Sequence, residues 1–283
     1  MAAPSEGPHR KSAADLLRWL EVGVAPRLAT ETEVIAHGGT ALTLLGIKGS
    51  TKDVDLTFRT REAFERFATA LDELGFVVRG DFRPLPTEVY RRLEKPGSAV
   101  DVVDLRYPVW NNWRWTTKAL EKALIVRLGK VRLVRPDRDL VFLFKTYPLR
   151  ATDLDDLRSF LEGDAPDEVR VMQLFEDQDR TLRSELSRDG TELEPLFLLL
   201  DLRFRFAASM ELLGPRYRKR IPRVARLARA KFRELRLGWS LPRLVDEARS
   251  DDRVLSWDRV LGAKREPLRR RLGTDQERTG GPG

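Results

Sequence analysis

VIAHGGTALTLLGIKGSTKDVDLTF, residues 34–58, is the stretch whose reading decides the fold. It begins inside a short β-type run, residues 32–36, and passes through a turn, His37-Gly38-Gly39-Thr40. A short apolar stretch, residues 41–45, reads as helix and stops at Gly46; residues 48–52 form a polar loop. From Asp53 to Phe58 the chain alternates Asp, Val, Asp, Leu, Thr, Phe. Such alternation predicts a half-buried strand with Asp53 and Asp55 on one face. Charge inside an otherwise apolar strand is costly unless it is paired or metal-bound.

The spacing has a chemical reading. Two Asp at i and i+2 on a strand point the same way, roughly 6–7 Å apart. Mg²⁺ takes hard oxygen ligands, a few of them carboxylates, and leaves the rest to phosphates and water. Two such ions can hold the attacking and leaving oxygens of a phosphate reaction. Two glycines let the backbone approach a triphosphate closely, and the Thr40 hydroxyl can donate to its oxygens. Taken singly, a Gly-Gly pair is usually a turn and an Asp-X-Asp usually solvated surface. The ordered set of strand, Gly-Gly-Thr, short helix and Asp-X-Asp strand is far more specific.

Residues 34–58 resemble the active-site motif of nucleotidyltransferases of the DNA polymerase β type. Within that superfamily the stretch looks closest to the small prokaryotic branch that includes the toxins of AbiE-type toxin–antitoxin systems. The likeness is clear over these residues and extends, with gaps, to about Leu161. It implies transfer of a nucleotide from an NTP to an acceptor, with Mg²⁺ (or Mn²⁺) as cofactor. By resemblance Gly38, Gly39 and Thr40 contact the triphosphate, and Asp53 and Asp55 bind metal. The superfamily often adds a third carboxylate on a later strand, as metal ligand or base. The run SAVDVVDLRY, residues 98–107, offers Asp101 and Asp104. Their offset of three sets them on opposite strand faces; Asp101 is the preferred member.

A second constellation is LFKTYPLRATDLDDLRSFL, residues 143–161. Lys145 lies in an apolar helix, where it either snorkels to the surface or meets the triphosphate as a point charge. The AbiE-like branch has a similar helical Lys followed by an Arg–Asp-rich stretch, for which Arg150, Asp153 and Asp156 are the counterparts. The family's adjacent Arg-Asp pair is missing, because Ala151 and Thr152 separate Arg150 from Asp153. Asp153 can equally cap the following helix. Lys48 and Lys52 precede Asp53 and can meet a triphosphate or stay solvated. His37 reads as a packed turn residue before a catalytic base. Trp110, Trp113 and Trp115, with Asn111 and Asn112, read as loop packing before base stacking.

Outward from these motifs, Ser12 caps a helix over residues 11–28. A second helix covers residues 61–74 and stops at Gly75. Strands are expected over 76–78, 88–93 and 98–105. A hairpin over 120–134 turns at Gly129-Lys130, and two helices follow, from Asp137 and over 152–161. After Gly163 only helical periods remain. The expected fold class is α+β: a nucleotidyltransferase-type domain with a small mixed sheet, residues 1–163, then an all-helical, Arg-rich domain, residues 164–283. The two ends, residues 1–12 and 274–283, read as frayed.

Of 283 residues, 41% are hydrophobic and 34% charged, a globular composition. No apolar run is long enough to cross a bilayer, and no signal-peptide core is present, so the default expectation is cytoplasmic with no membrane partner. The absence of Cys excludes disulfides, zinc–thiolate sites and a Cys nucleophile. Net charge is +8 and unevenly spread. Residues 164–202 carry four Arg against eleven acids, whereas the block from Arg203 to Arg236 carries twelve Lys or Arg against two Glu. Arg223, Arg226, Arg229, Arg233 and Arg236 recur at helical spacing opposite Val224, Ala228, Phe232 and Leu235. The block favours a polyanion such as RNA; the acidic stretch is its alternative, intramolecular partner. With the resemblance, this points to a tRNA 3′ end as acceptor and to an antitoxin protein as partner. The rivals are nucleotidylation of a small molecule or a protein, and a non-catalytic nucleotide- or nucleic-acid-binding module.

Overall fold

The computed structural model describes residues 10–79, 89–107, 113–189, 193–235 and 241–242. Ser12 caps the first helix, α1 (Ala13–Arg18), through a capping box: its hydroxyl accepts from the Asp15 N–H, and the Asp15 carboxylate accepts from the Ser12 N–H at 2.9 Å. The coil continues as a wider π turn to Val24 and a 3₁₀ turn to Arg27, close to the expected length.

Seven strands form one mixed sheet: β1 (Thr32–Ala36), β2 (Val54–Thr57), β3 (Val77–Val78), β4 (Tyr90–Glu94), β5 (Val102–Arg106), β6 (Leu124–Leu128) and β7 (Val131–Arg135). Their spatial order is β3-β4-β5-β2-β1-β7-β6. Central β1 runs antiparallel to β2 and parallel to β7, and β2 runs parallel to β5. The expected hairpin is β6–β7, with Gly129 at φ 57° in its turn.

Helix α2 (Gly38–Leu44) joins β1 to β2. The turn expected at residues 37–40 is in fact the first turn of this helix. Extended His37 is followed by Gly38 at φ 54°, so the chain reverses within one residue and coils at once. Helix α3 (Arg61–Glu73), capped by Thr60, buries Phe64, Phe67, Ala68 and Leu71. Helices α4 (Arg138–Lys145) and α5 (Ala151–Glu162) follow β7; Asp137 caps α4 by accepting from the N–H groups of Asp139 and Leu140. Among the described residues beyond Gly163 there are only helices: α6 (Glu168–Asp189), α7 (Leu193–Arg218), broken at Gly214-Pro215, and α8 (Pro222–Glu234). Helix α4 packs on α2, α5 and α6, and α7 packs on α5, α6 and α8. One hydrophobic cluster runs from Leu16 to Leu241. Trp113 belongs to it, fully buried and stacked on Phe144 at 4.9 Å, and Trp115 lies 5.0 Å from the same ring. Trp110, Asn111 and Asn112, and residues 274–283, lie outside the described residues.

Much of the acidic stretch meets the basic block inside the molecule. Asp179 of α6, 1% exposed, holds Arg203 of α7 at 2.6 Å, and Lys231 of α8 lies 3.8 Å away. Lys231 also reaches Glu176 at 3.2 Å, and Arg203 reaches Glu234 at 3.1 Å. Other cations of the block point outward: Arg216, Lys219, Arg220, Arg223, Arg226 and Arg233 are exposed, whereas Arg236 lies outside the described residues. No helix among the described residues is long and apolar enough to cross a membrane.

Removing one partner of a buried ion pair leaves the other charge uncompensated, which costs about 3–5 kcal/mol. Asp179→Ala should therefore lower the urea-unfolding free energy by about that amount. Substituting the exposed Arg226 by Ala should change it by less than about 0.5 kcal/mol. Equal effects would show that the α6–α7–α8 ion pairs do not tie these helices together.

Candidate active site

Strand β2 begins at Val54, and its alternation buries Val54 and Leu56 on one face. Asp55 points to the other face, towards the start of α2, and its Oδ2 accepts from the Gly39 N–H at 2.9 Å. This approach explains the first glycine, and the Thr51 hydroxyl explains the second. A Cβ at Gly38 would sit 2.5 Å from Asp55 Oδ2, and one at Gly39 would sit 2.5 Å from Thr51 Oγ1. Strands β2 and β5 pair in parallel with Asp55 opposite Asp104, so both side chains share one face. Asp53 lies at the open rim with 38% of its side chain exposed.

The structure therefore sets Asp104, not Asp101, beside Asp53 and Asp55. Residues 98–100 are bent, and β5 starts only at Val102, so the alternation must be counted from there. Asp101 precedes the strand and does not line the cleft; its charge acts on Lys11, which pairs with Thr51 across the chain. Thr40 also departs from its expected place. Its hydroxyl is buried and accepts from the Asp55 N–H at 2.8 Å, fastening α2 to β2 rather than facing the cleft. Thr51 adds a second stitch, donating to the Asp53 carbonyl at 2.9 Å.

The cleft has a volume of about 660 Å³ and is lined by seven Lys or Arg and five Asp, with Gly38, Gly39 and Lys52 among its walls. Lys145 is buried on its far side, 2.8 Å from both Asp153 and Asp156. Burial alone would lower the Lys145 pKa, but the two carboxylates outweigh it and raise it. Asp153 in turn accepts from Arg150 at 2.6 Å, and Asp156 pairs with Lys48 at 2.8 Å. Burial pushes Asp153 upwards, yet Arg150 and Lys145 hold it below its ordinary value. Arg150, Asp153 and Asp156 thus surround Lys145, and Asp153 does not act as the cap of α5, whose N-cap is Arg150. His37 lies buried at the cleft floor. Burial first, then the charges of Arg106 and Lys145, hold its ring well below the ordinary pKa, in the neutral form.

Two residues that sequence reasoning did not assign complete the floor. The Tyr90 hydroxyl donates to Asp104 Oδ1 at 2.9 Å, and Arg92 Nη1 donates to Asp104 Oδ2 at 3.1 Å. Burial and the Asp104 charge raise the Tyr90 pKa. Both residues arrive through the antiparallel β4–β5 register, in which Arg92 faces Asp104. No local signal in residues 88–93 announces that pairing.

Burial, with the neighbouring Asp104 charge, pushes the Asp55 pKa up to about 7, against the pull of Lys145 and the Gly39 N–H. Among the described residues no group of three acidic or His side chains is arranged as a ready-made metal site. The donor set nonetheless fits a hard divalent cation. Asp53, Asp55 and Asp104 supply oxygen only, and their crowding is of the kind that a cation relieves.

No protein-family model matches the chain, and no curated protein matches it. A solved structure described as a "putative nucleotidyltransferase from H. pylori" is 12% identical over 81% of this chain and 96% of that one, with a TM-score of 0.33. At that level the likeness carries no functional weight, which falls on the cleft itself.

A raised Asp55 pKa means that the folded state favours its protonated form. That preference stabilises the protein below about pH 4 and is lost as pH climbs towards 7. Asp55→Asn, which keeps an acceptor for the Gly39 N–H, should raise the melting temperature by a few degrees at pH 8 and leave it unchanged near pH 4. A lower melting temperature at pH 8 would contradict a burial cost that outweighs the pull of Lys145 and the Gly39 N–H.

Proposed function

We propose that this protein is a metal-dependent nucleotidyltransferase that moves NMP from an NTP to an acceptor hydroxyl. One observation carries the reading: Asp53, Asp55 and Asp104 line one cleft, beside a glycine pair at which a side chain would collide with the Asp55 carboxylate at Gly38 and with the Thr51 hydroxyl at Gly39. Mg²⁺ (or Mn²⁺), held by Asp53 and Asp55, would neutralise charge building on the phosphates. Asp104 takes the third-carboxylate role that the sequence assigned to Asp101. In the reaction class, the acceptor hydroxyl oxygen bonds to the α-phosphorus and gives its proton to a neighbouring carboxylate or water, while the bond from that phosphorus to the oxygen bridging it to the β-phosphorus breaks and pyrophosphate leaves. Lys48, Lys145 and Arg150 line the cleft wall where a triphosphate enters, and its oxygens would compete with Asp153 and Asp156 for them. Gly39 has already given its N–H to Asp55, so side chains do more of this binding than the backbone.

The charge of the cleft supports an anionic acceptor over a cationic small molecule. Exposed Arg223, Arg226 and Arg233 on α8, with Arg216, Lys219 and Arg220 just before it, supply a surface for a polyanion. With the AbiE-like sequence of residues 34–58, the first acceptor to test is the 3′ end of a tRNA, in a toxin–antitoxin setting with a cognate antitoxin protein.

Incubation with Mg²⁺, total tRNA and each α-³²P-labelled NTP in turn tests the reading. Wild type should label tRNA, and the double variant Asp53→Asn, Asp55→Asn should lose transfer by more than about a thousandfold. Label on another acceptor would keep the reaction class and displace the RNA. Nucleotide binding that is indifferent to both substitutions and to Mg²⁺ would leave only a non-catalytic binding module.

A further inference from the structure

Arg92 occupies the place in the carboxylate floor where a cation is called for. Its Nη1 lies 3.2 Å and 3.1 Å from the two oxygens of Asp104, and its Nη2 lies 3.7 Å from Asp53 Oδ1. One guanidinium therefore spans two of the three carboxylates on which the proposed function rests, Asp53 as metal ligand and Asp104 as the third carboxylate. Only 17% of the Arg92 side chain is exposed, with 13% of Asp104. This is a largely desolvated pairing, in which removal of either partner leaves a costly charge. Arg92 also has somewhere to stay when its Nη groups let go. Its Nε lies 3.3 Å from Glu94 Oε1, on the same strand, and Glu94 is itself anchored by Arg79 at 2.8 Å. Tyr90 keeps its own hydrogen bond to Asp104, so the carboxylate does not depend on Arg92 alone for its position.

We infer that Arg92 is an internal counter-ion: it neutralises Asp53 and Asp104 while the cleft holds no divalent cation, and a divalent cation must displace it to bind. The inference rests on the metal-binding reading of the cleft. Its physical content is an exchange. The carboxylates that attract a divalent cation already have a monovalent partner, so apparent metal affinity is the difference between two attractions. The protein gains a floor that stays folded in the metal-free state, and it gives up part of its affinity for the ion. Arg92 is in this sense a positioning residue, acting through Asp53 and Asp104.

The test compares wild type, Arg92→Met and Arg92→Lys by Mn²⁺ binding, read from electron paramagnetic resonance, and by melting temperature with and without Mn²⁺. Arg92→Met should bind Mn²⁺ about tenfold more tightly, the scale of one largely desolvated ion pair. It should melt below wild type without metal and recover most of the difference with it. Arg92→Lys keeps the charge and should stay near wild type in both. If Arg92→Met binds Mn²⁺ no more tightly than wild type, or its melting deficit is the same with and without metal, Arg92 is merely structural and the inference falls. If neither wild type nor variant binds Mn²⁺, the metal reading of the cleft itself fails, and the inference with it. Should Arg92→Met not fold, the wild-type protein decides. The Arg92 Nε–H resonance, identified by its loss in Arg92→Lys, should shift as Mg²⁺ is added, and a resonance that stays put overturns displacement.

Discussion

Carboxylates crowded on one sheet face govern this structure. Asp55 and Asp104 are aligned across β2 and β5, and Asp53 lies at the rim, in the bend before β2. Like charges this close and this poorly solvated cannot all ionise at little cost. The neighbourhood is built to hold them nonetheless. The Gly39 N–H reaches Asp55, Tyr90 and Arg92 reach Asp104, and Thr40 and Thr51 fasten the backbone that carries Asp53 and Asp55. Gly38 follows from the same constraint, since a side chain there would collide with the Asp55 carboxylate. A fold that keeps acids together against their repulsion is keeping a place for positive charge.

Charge is handled differently elsewhere. Lys145 lies deep in the cleft wall between Asp153 and Asp156, and Asp179 lies between Arg203 and Lys231 in the helical part. In these places opposite charges are matched and the interior is close to neutral. The surface of α8 and the segment before it is not matched to the same degree, and several arginines are left to solvent. Matched charge inside and exposed charge outside is the distribution that the cost of burying an unpaired charge dictates.

The elements legible in the sequence were those set by local rules. The cap at Ser12 and the hairpin at Gly129 follow from spacings of a few residues, and the structure has them; the strand carrying Asp55 is there too, but it begins at Val54 and leaves Asp53 in the bend before it. The choice between Asp101 and Asp104 depended on where β5 begins, a boundary that the weak alternation of residues 98–105 did not mark. Arg92 was illegible for a deeper reason: its place at the floor depends on the pairing of β4 with β5, and strand register is a non-local property. Thr40 was placed in the right region with the wrong partner. A threonine after two glycines suits phosphate contact, and nothing local reveals that the Asp55 N–H claims its hydroxyl first.

The central claim is that the floor formed by Asp53, Asp55 and Asp104 is a divalent-cation site. The most direct measurement is anomalous scattering from a crystal soaked in Mn²⁺ with a non-hydrolysable NTP analogue. The account predicts a manganese peak within coordinating distance of the Asp53 and Asp55 carboxylates, with the triphosphate lying against Lys48, Lys145 and Arg150. A crystal that binds the analogue with no manganese at that floor, or that holds manganese only elsewhere, would contradict it.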